Sequence, residues 1–178
     1  QFEQLHVRIA FVRAYNAQNR CDIASTIAHA ENLIQLSHPE RDHFLRAQAR
    51  AVLAASYWAQ GDLEKAHSAL IAWVAHARRT GNTFFAIAGA SGIAQILVDQ
   101  GQSLEAVSVF QSTLREAETL DDGAKQITPH LYLGLSLLHL DLGKLNEAKE
   151  YLARSEEIAH CSTLSDWPYR HHLVLARY

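Results

Sequence analysis

The sequence contains no methionine, two cysteines and three prolines. Each scarcity excludes something. Without methionine, Gln1 is not expected to be the natural start of translation, so the chain reads as a fragment. Cys21 and Cys161 lie far apart, which fits a reducing compartment better than a disulfide-stapled secreted fold, and the expected location is the cytoplasm. The longest apolar run, Phe84 to Val98, is broken by Gly89, Ser91, Gly92 and Gln95 and falls short of the ~20 residues a membrane span needs. It reads as a buried helix. Sixteen basic residues against nineteen acidic ones give a net charge of −3, and the basic ones are dispersed. That leaves no electrostatic footprint for nucleic acid or for a membrane surface.

Signatures of catalysis are missing too. There is no Gly-x-x-x-x-Gly-Lys-Ser/Thr phosphate loop, no His-Glu-x-x-His and no Gly-x-Ser-x-Gly elbow. None of the eleven histidines forms a His-x-x-x-His pair, and the adjacent His171 and His172 point about 100° apart on a helix. They read as mostly solvated, so neither a metal nor a cofactor is expected, and the protein is not expected to be an enzyme. Glu156-Glu157 and Asp121-Asp122 fall at helix ends, where a solvated face is the simpler reading.

What the chain does have is a corner, Ala59-Gln60-Gly61-Asp62-Leu63-Glu64-Lys65-Ala66, that returns. Ala24, Ala66, Ala106 and Ala148 serve as equivalent anchors with steps of 42, 40 and 42 residues, and five residues before them stand Asn19, Gly61, Gly101 and Gly143. Glycine, and asparagine more easily than most residues, takes the left-handed conformation that ends a helix. Thirteen and twelve residues before the anchors, large apolar is followed by small: Phe11-Val12, Leu53-Ala54, Ile93-Ala94 and Leu135-Ser136. A small residue lets a second helix approach, and its bulky neighbour fills the space beside the contact. Self-similarity at a period of about 40 predicts an all-α, right-handed α-α superhelix of antiparallel helix pairs, about four and a half repeats long.

One repeat domain over 1–178 is expected, with pairs at about 2–36, 39–78, 82–120 and 124–160 and a partial repeat at 167–178. The first helix carries Leu5, Ile9, Val12 and Tyr15 along one expected packing stripe. Ser37-His38-Pro39-Glu40 offers a capping box that would start the third helix at Pro39. Thr80-Gly81-Asn82 and Asp121-Asp122-Gly123 are the breaks that follow, and Pro129 leaves the next start open between Ala124 and Thr128. Trp73 is expected in the core and Trp167 at a helix start. The fifth repeat stops after its first helix, so an apolar face bearing Leu173 and Leu175 lacks its cover and is expected to support self-association.

The helix pairs, their small-residue columns and the Gly61-Asp62-Leu63-Glu64-Lys65-Ala66 corner resemble tetratricopeptide repeats, although steps of 40 to 42 residues exceed the usual ~34. This long variant, with Trp167-Pro168-Tyr169-Arg170-His171-His172-Leu173-Val174-Leu175-Ala176-Arg177, is similar to the sensor segment of large LuxR/MalT-type bacterial transcription regulators. The resemblance implies a non-catalytic regulatory domain that receives a small-molecule inducer or a protein or peptide in its concave groove and does not itself bind DNA. The alternative is a generic tetratricopeptide adaptor for protein-protein interaction. First helices of such repeats line the groove, which places Arg13, Gln48, Trp58, Ser91 and Gln95 there as the expected ligand or partner contacts. Arginine supplies a fixed fork of donors, glutamine donates and accepts, and tryptophan offers a flat apolar face.

Overall fold

The structure is a computed structural model that describes residues 2–119, 125–162 and 165–178, and the chain divides into two compact units, 1–80 and 81–178. The division falls at the Thr80-Gly81-Asn82 break. The first unit contains α1 (Phe2–Asn19), α2 (Ile23–Leu36), α3 (His43–Gln60) and α4 (Leu63–Arg79). The second contains α5 (Thr83–Asp99), α6 (Ser103–Thr119), α7 (Thr128–Asp141), α8 (Leu145–Glu157), a 3₁₀ turn at Ala159–Cys161 and α9 (Trp167–Arg177). Among the described residues there is no strand. Helices pack in sequence order as α1 on α2, α3 on α4, α5 on α6 and α7 on α8, with α2 also against α3, α6 against α7 and α9 against α7. A corner of two or three residues between packed helices leaves only an antiparallel arrangement. The all-α, tetratricopeptide-like series of pairs is therefore as the columns implied. The Asp121-Asp122-Gly123 break lies outside the described residues.

One hydrogen-bond pattern closes every described corner. At α3–α4, Gly61 is left-handed (φ 84°), its amide donates to Trp58 O at 2.9 Å, and the Asp62 amide donates to Tyr57 O at 2.9 Å. Gly101 and Gln102 repeat this on Val98 O and Leu97 O, and Gly143 and Lys144 on Leu140 O and His139 O. Orphan carbonyls at the helix end are thereby satisfied. Some helices are also capped at their start by a side chain: Asp62 Oδ1 accepts from Lys65 N at 3.1 Å, and Asn82 and Asp22 do the same for α5 and α2, whereas Lys144 makes no such bond at the start of α8.

The first corner corrects the expected phase. Its left-handed residue is Cys21 (φ 56°), whose amide donates to Gln18 O while the Asp22 amide donates to Ala17 O. Asn19 is the last residue of α1 instead. The equivalent of Ala66, Ala106 and Ala148 is therefore Thr26, two residues beyond Ala24, and the steps become 40, 40 and 42. Burial follows the new phase: Thr26 is 1% exposed whereas Ala24 is solvent-exposed. The small column is Ala14, Ala54, Ala94 and Ser136, and four after the anchor come Ala30, Leu70, Phe110 and Leu152, all buried. Asparagine is the better left-handed residue by type, but backbone closure here falls on a cysteine.

The same slip overturns the stripe read on α1. Leu5, Ile9, Val12 and Tyr15 are 39% to 54% exposed, and the packing face is Val7, Ala10, Ala14 and Ala17. Three alanines on that face let α1 sit close to α2 and α3, with Leu33, Ala49, Val52 and Leu53 completing the core. The capping box at Ser37 is also not formed. Ser37 Oγ donates to Ile34 O and accepts from Arg46, and the carboxylate that reaches back to His38 N, at 2.8 Å, belongs to Asp42, not Glu40. Residues 39–42 consequently form a turn, and α3 begins at His43.

In the second unit, Ile87, Ala94 and Leu97 of α5 meet Phe110 and Leu114 of α6 and Leu131, Leu135 and Leu138 of α7. Gly134 of α7 admits the Phe110 ring, since a Cβ there would stand 2.7 Å from two ring carbons. Pro129 lies in the first turn of α7, which settles its start at Thr128. Two buried serines stitch α7 to α8: Ser136 Oγ donates to Ala148 O at 2.7 Å, and Ser155 Oγ donates to Pro129 O at 2.8 Å. Trp167, at the start of α9, donates its indole N–H to Ser155 Oγ at 3.0 Å. On α9 the buried residue is Val174, while Leu173 and Leu175 are 61% and 45% exposed.

Candidate functional site

The residues expected to make the binding surface are distributed as follows. Arg13 is exposed on α1, Gln48 and Trp58 are half-buried on α3, and Ser91 and Gln95 are half-buried on α5. Ser91 and Gln95 stand one helical turn apart on the same face, so that polar pair is brought together. Gln48 and Trp58 are separated by about 15 Å along the α3 axis, too far to touch one small group together. The corrected phase of the first repeat gives the column assigned to Arg13 to Tyr15. Trp73 is half-buried on α4. None of these residues lines either of the two cavities that follow.

The first cavity, about 310 Å³, belongs to the first unit and is lined by Pro39 and Glu40 from the turn, His43, Arg46 and Arg50 from α3, and His76, Arg79 and Thr80 from the end of α4. Positions 43, 46 and 50 fall on one stripe of α3. Arg46 is anchored by Nη1, which donates to Ile34 O at 2.6 Å and to Ser37 O at 2.9 Å and so tethers the end of α2. The His43 and His76 rings lie 5.5 Å apart between centroids, inclined by 35°. Thr80 Oγ1 donates to His76 O and Ala77 O, which commits the hydroxyl to capping α4.

Electrostatically this cavity is one-sided. Desolvation, then the neighbouring Arg46 and Arg79, pushes the Arg50 pKa down. Desolvation also lowers the pKa of His76, with further contributions from His43, Arg79 and Arg50. No carboxylate among the described residues pairs with Arg50 or Arg79. The nearby Asp42 carboxylate is engaged by Arg41, at 3.1 Å, and by the His38 amide. Such a cleft can hold an anion, and the one hydroxyl in its lining, Thr80 Oγ1, is spent on capping α4.

The second cavity, about 270 Å³, lies in the second unit beside Glu118, Thr128, Tyr132, Arg154, Glu157 and Cys161. It carries both signs of charge, with Lys125 and Arg154 beside Glu118 and Glu157. Tyr132 donates to Glu118 Oε1 at 3.2 Å, and Arg154 Nη1 lies 2.9 Å from Glu157 Oε2. Burial first, and then Glu118, raises the Tyr132 pKa.

The histidines are less solvated than their number suggested. His76 and His139 are buried, and His130 and His171 are half-buried against carboxylates: His130 Nε2 is 3.0 Å from Asp166 Oδ1, and His171 Nε2 is 2.6 Å from Glu156 Oε1. Among the described residues, no three His, Cys, Asp or Glu side chains converge as a metal-ligand group, and no helix is long and apolar enough to cross a membrane.

The cationic cleft is not announced by any motif, although the sequence holds one signal for it. The segment from His43 to Gln60 contains Arg46 and Arg50 four residues apart and no acidic residue at all, a spacing that puts two like charges on one face without relief. The contribution of Arg79 needs the fold. A family model described as the MalT-like TPR region matches residues 8–177. No curated protein matches the sequence.

Proposed function

Because the chain belongs to the MalT-like TPR region family, we propose that it is the ligand- or partner-receiving regulatory segment of a LuxR/MalT-type bacterial transcription regulator, acting in the cytoplasm by binding and without catalysis. The extent of the match carries this reading: residues 8–177 cover α1 from its second turn onward and every later helix through the end of α9. A one-sided cationic cleft next to committed, non-nucleophilic hydroxyls supports capture over turnover. A receptor of this kind works by differential affinity, since a ligand shifts a conformational equilibrium only by as much as it prefers one state.

The exposed face of α1 with Leu5, Ile9, Val12 and Tyr15 favours a second reading, an adaptor that seats an apolar helix of another protein. The whole coding sequence discriminates between them. A phosphate loop upstream and a basic helix-turn-helix downstream are expected for the regulator; a gene with neither sinks that reading and leaves the adaptor. In a regulator, deleting residues 1–178 should also uncouple a promoter reporter from its inducing condition.

A further inference from the structure

We propose that the cleft between α3 and the end of α4 binds the phosphate group of a small phosphorylated metabolite through Arg46, Arg50 and Arg79. It deepens the receiving role above by naming a ligand class and a site for it, and it rests on that role only for its regulatory consequence.

Charge is the first argument. Three guanidinium groups line the cleft against a single carboxylate, Glu40, which is exposed. Arg46 and Arg50 repel each other one turn apart, and Arg50 is half-buried without an ion pair among the described residues. An unpaired, partly desolvated cation costs free energy that a bound anion returns. A phosphate monoester carries about −1.5 to −2 charges and three strong acceptor oxygens. That suits several converging guanidinium forks better than the single charge of a carboxylate does.

Geometry is the second argument. One nitrogen of Arg46 is fixed on the carbonyls of Ile34 and Ser37 at the end of α2, which holds the guanidinium in place while its remaining N–H groups stay available. The last carbonyls of α4 would oppose an anion, but Thr80 blunts this end by donating both its amide and its hydroxyl to His76 O. At about 310 Å³ the cavity lies at the small end of ligand sites, which run from about 300 to 1,000 Å³. It has room for a phosphate and a sugar-sized body, and not for a folded partner.

The test is calorimetric titration of the whole chain with inorganic phosphate, with a hexose 6-phosphate and with the free hexose. Both phosphates are expected to bind with Kd between about 10 µM and 1 mM, and the free hexose to give no heat. Arg50→Gln and Arg79→Gln should each weaken binding at least about tenfold and reduce the phosphate-induced rise in melting temperature. Neither should lower the ligand-free melting temperature, since each relieves repulsion. Arg115→Gln, on the exposed side of α6 and away from the cleft, should bind as the parent does. No heat from either phosphate at about 5 mM, or unchanged affinity in both variants, overturns the proposal. So does binding confined to a phosphopeptide or to phosphoinositide vesicles. A silent titration leaves the coding-sequence test of the regulator standing, so the two ideas fail separately.

Discussion

Replacing Cys21 by glycine is expected to stabilise the protein, an unusual outcome for removing a side chain from an ordered corner. At Gly61, the equivalent residue of the second pair, an added Cβ would meet nothing within 4 Å, so Gly61→Ala faces only the backbone penalty of a left-handed L residue. That penalty is about 1–2 kcal/mol, less the ~0.4–1 kcal/mol by which alanine restricts the unfolded chain. A net loss of about 1 kcal/mol follows. Cys21 already bears the penalty at φ 56° and its side chain is exposed, so Cys21→Gly should gain a similar amount, while Cys21→Ser, which keeps a Cβ, should be neutral. Thermal melting by circular dichroism in reducing buffer reads this as a shift of roughly 2–8 °C, depending on how many residues melt with the corner. Asn19→Gly is the control. Asn19 lies in the last turn of α1, where glycine is the poorer helix former, and its melting temperature should fall slightly. If Cys21→Gly lowers the melting temperature, or Asn19→Gly raises it, the phase assigned to the first repeat is wrong.

Thr26→Glu should unfold or severely destabilise the first unit, because it buries an unpaired carboxylate, whereas Ala24→Glu on the exposed side of α2 should change the urea midpoint little. Gly134→Val forces its side chain into the Phe110 ring and should cost about 1–3 kcal/mol, and Phe110→Leu in that background should recover part of the lost melting temperature. Acid titration should show a histidine-linked loss. Burial holds His76 and His130 below the ordinary histidine pKa, His130 even against the opposing pull of Asp166. The unfolded chain then takes up protons first, so stability is full above about pH 6.5 and falls as pH drops below it; in His76→Gln the slope of melting temperature between pH 7.5 and 5.5 should flatten.

How far the sequence discloses this fold can be judged at particular residues. Gly61, Gly101 and Gly143 announce their corners because glycine is the residue that left-handed closure favours. Asp62 and Asn82 announce helix starts because a short polar side chain there caps an amide three residues on. Cys21 announces nothing, and taking Asn19 in its place displaces every column of the first repeat and turns the exposed stripe of α1 inward. Ser37 misleads for a related reason. Its hydroxyl is spent on the end of α2, a competition between two helix termini that spacing along the chain does not express. For the site, Arg46 and Arg50 are legible as an unrelieved pair of like charges, but Arg79 is 29 residues beyond Arg50 in sequence and joins them only through the packing of α4 on α3. Ser91 and Gln95 need nothing beyond helical periodicity.

The corner bonds have a kinetic consequence. Each is closed between residues three to five apart, and each pair of helices finds its first partner in the neighbouring stretch of chain. Such local contact patterns favour fast folding, on the order of microseconds to milliseconds, and repeat arrays can begin ordering at any unit and spread outward. The four pairs are not equal starting points, however. Turning the chain at Gly61, Gly101 or Gly143 uses a conformation glycine visits freely, whereas turning at Cys21 does not. Ordering should therefore begin in one of the later pairs and reach α1 and α2 last, so that during synthesis the first of these pairs to leave the ribosome waits for the second before it closes.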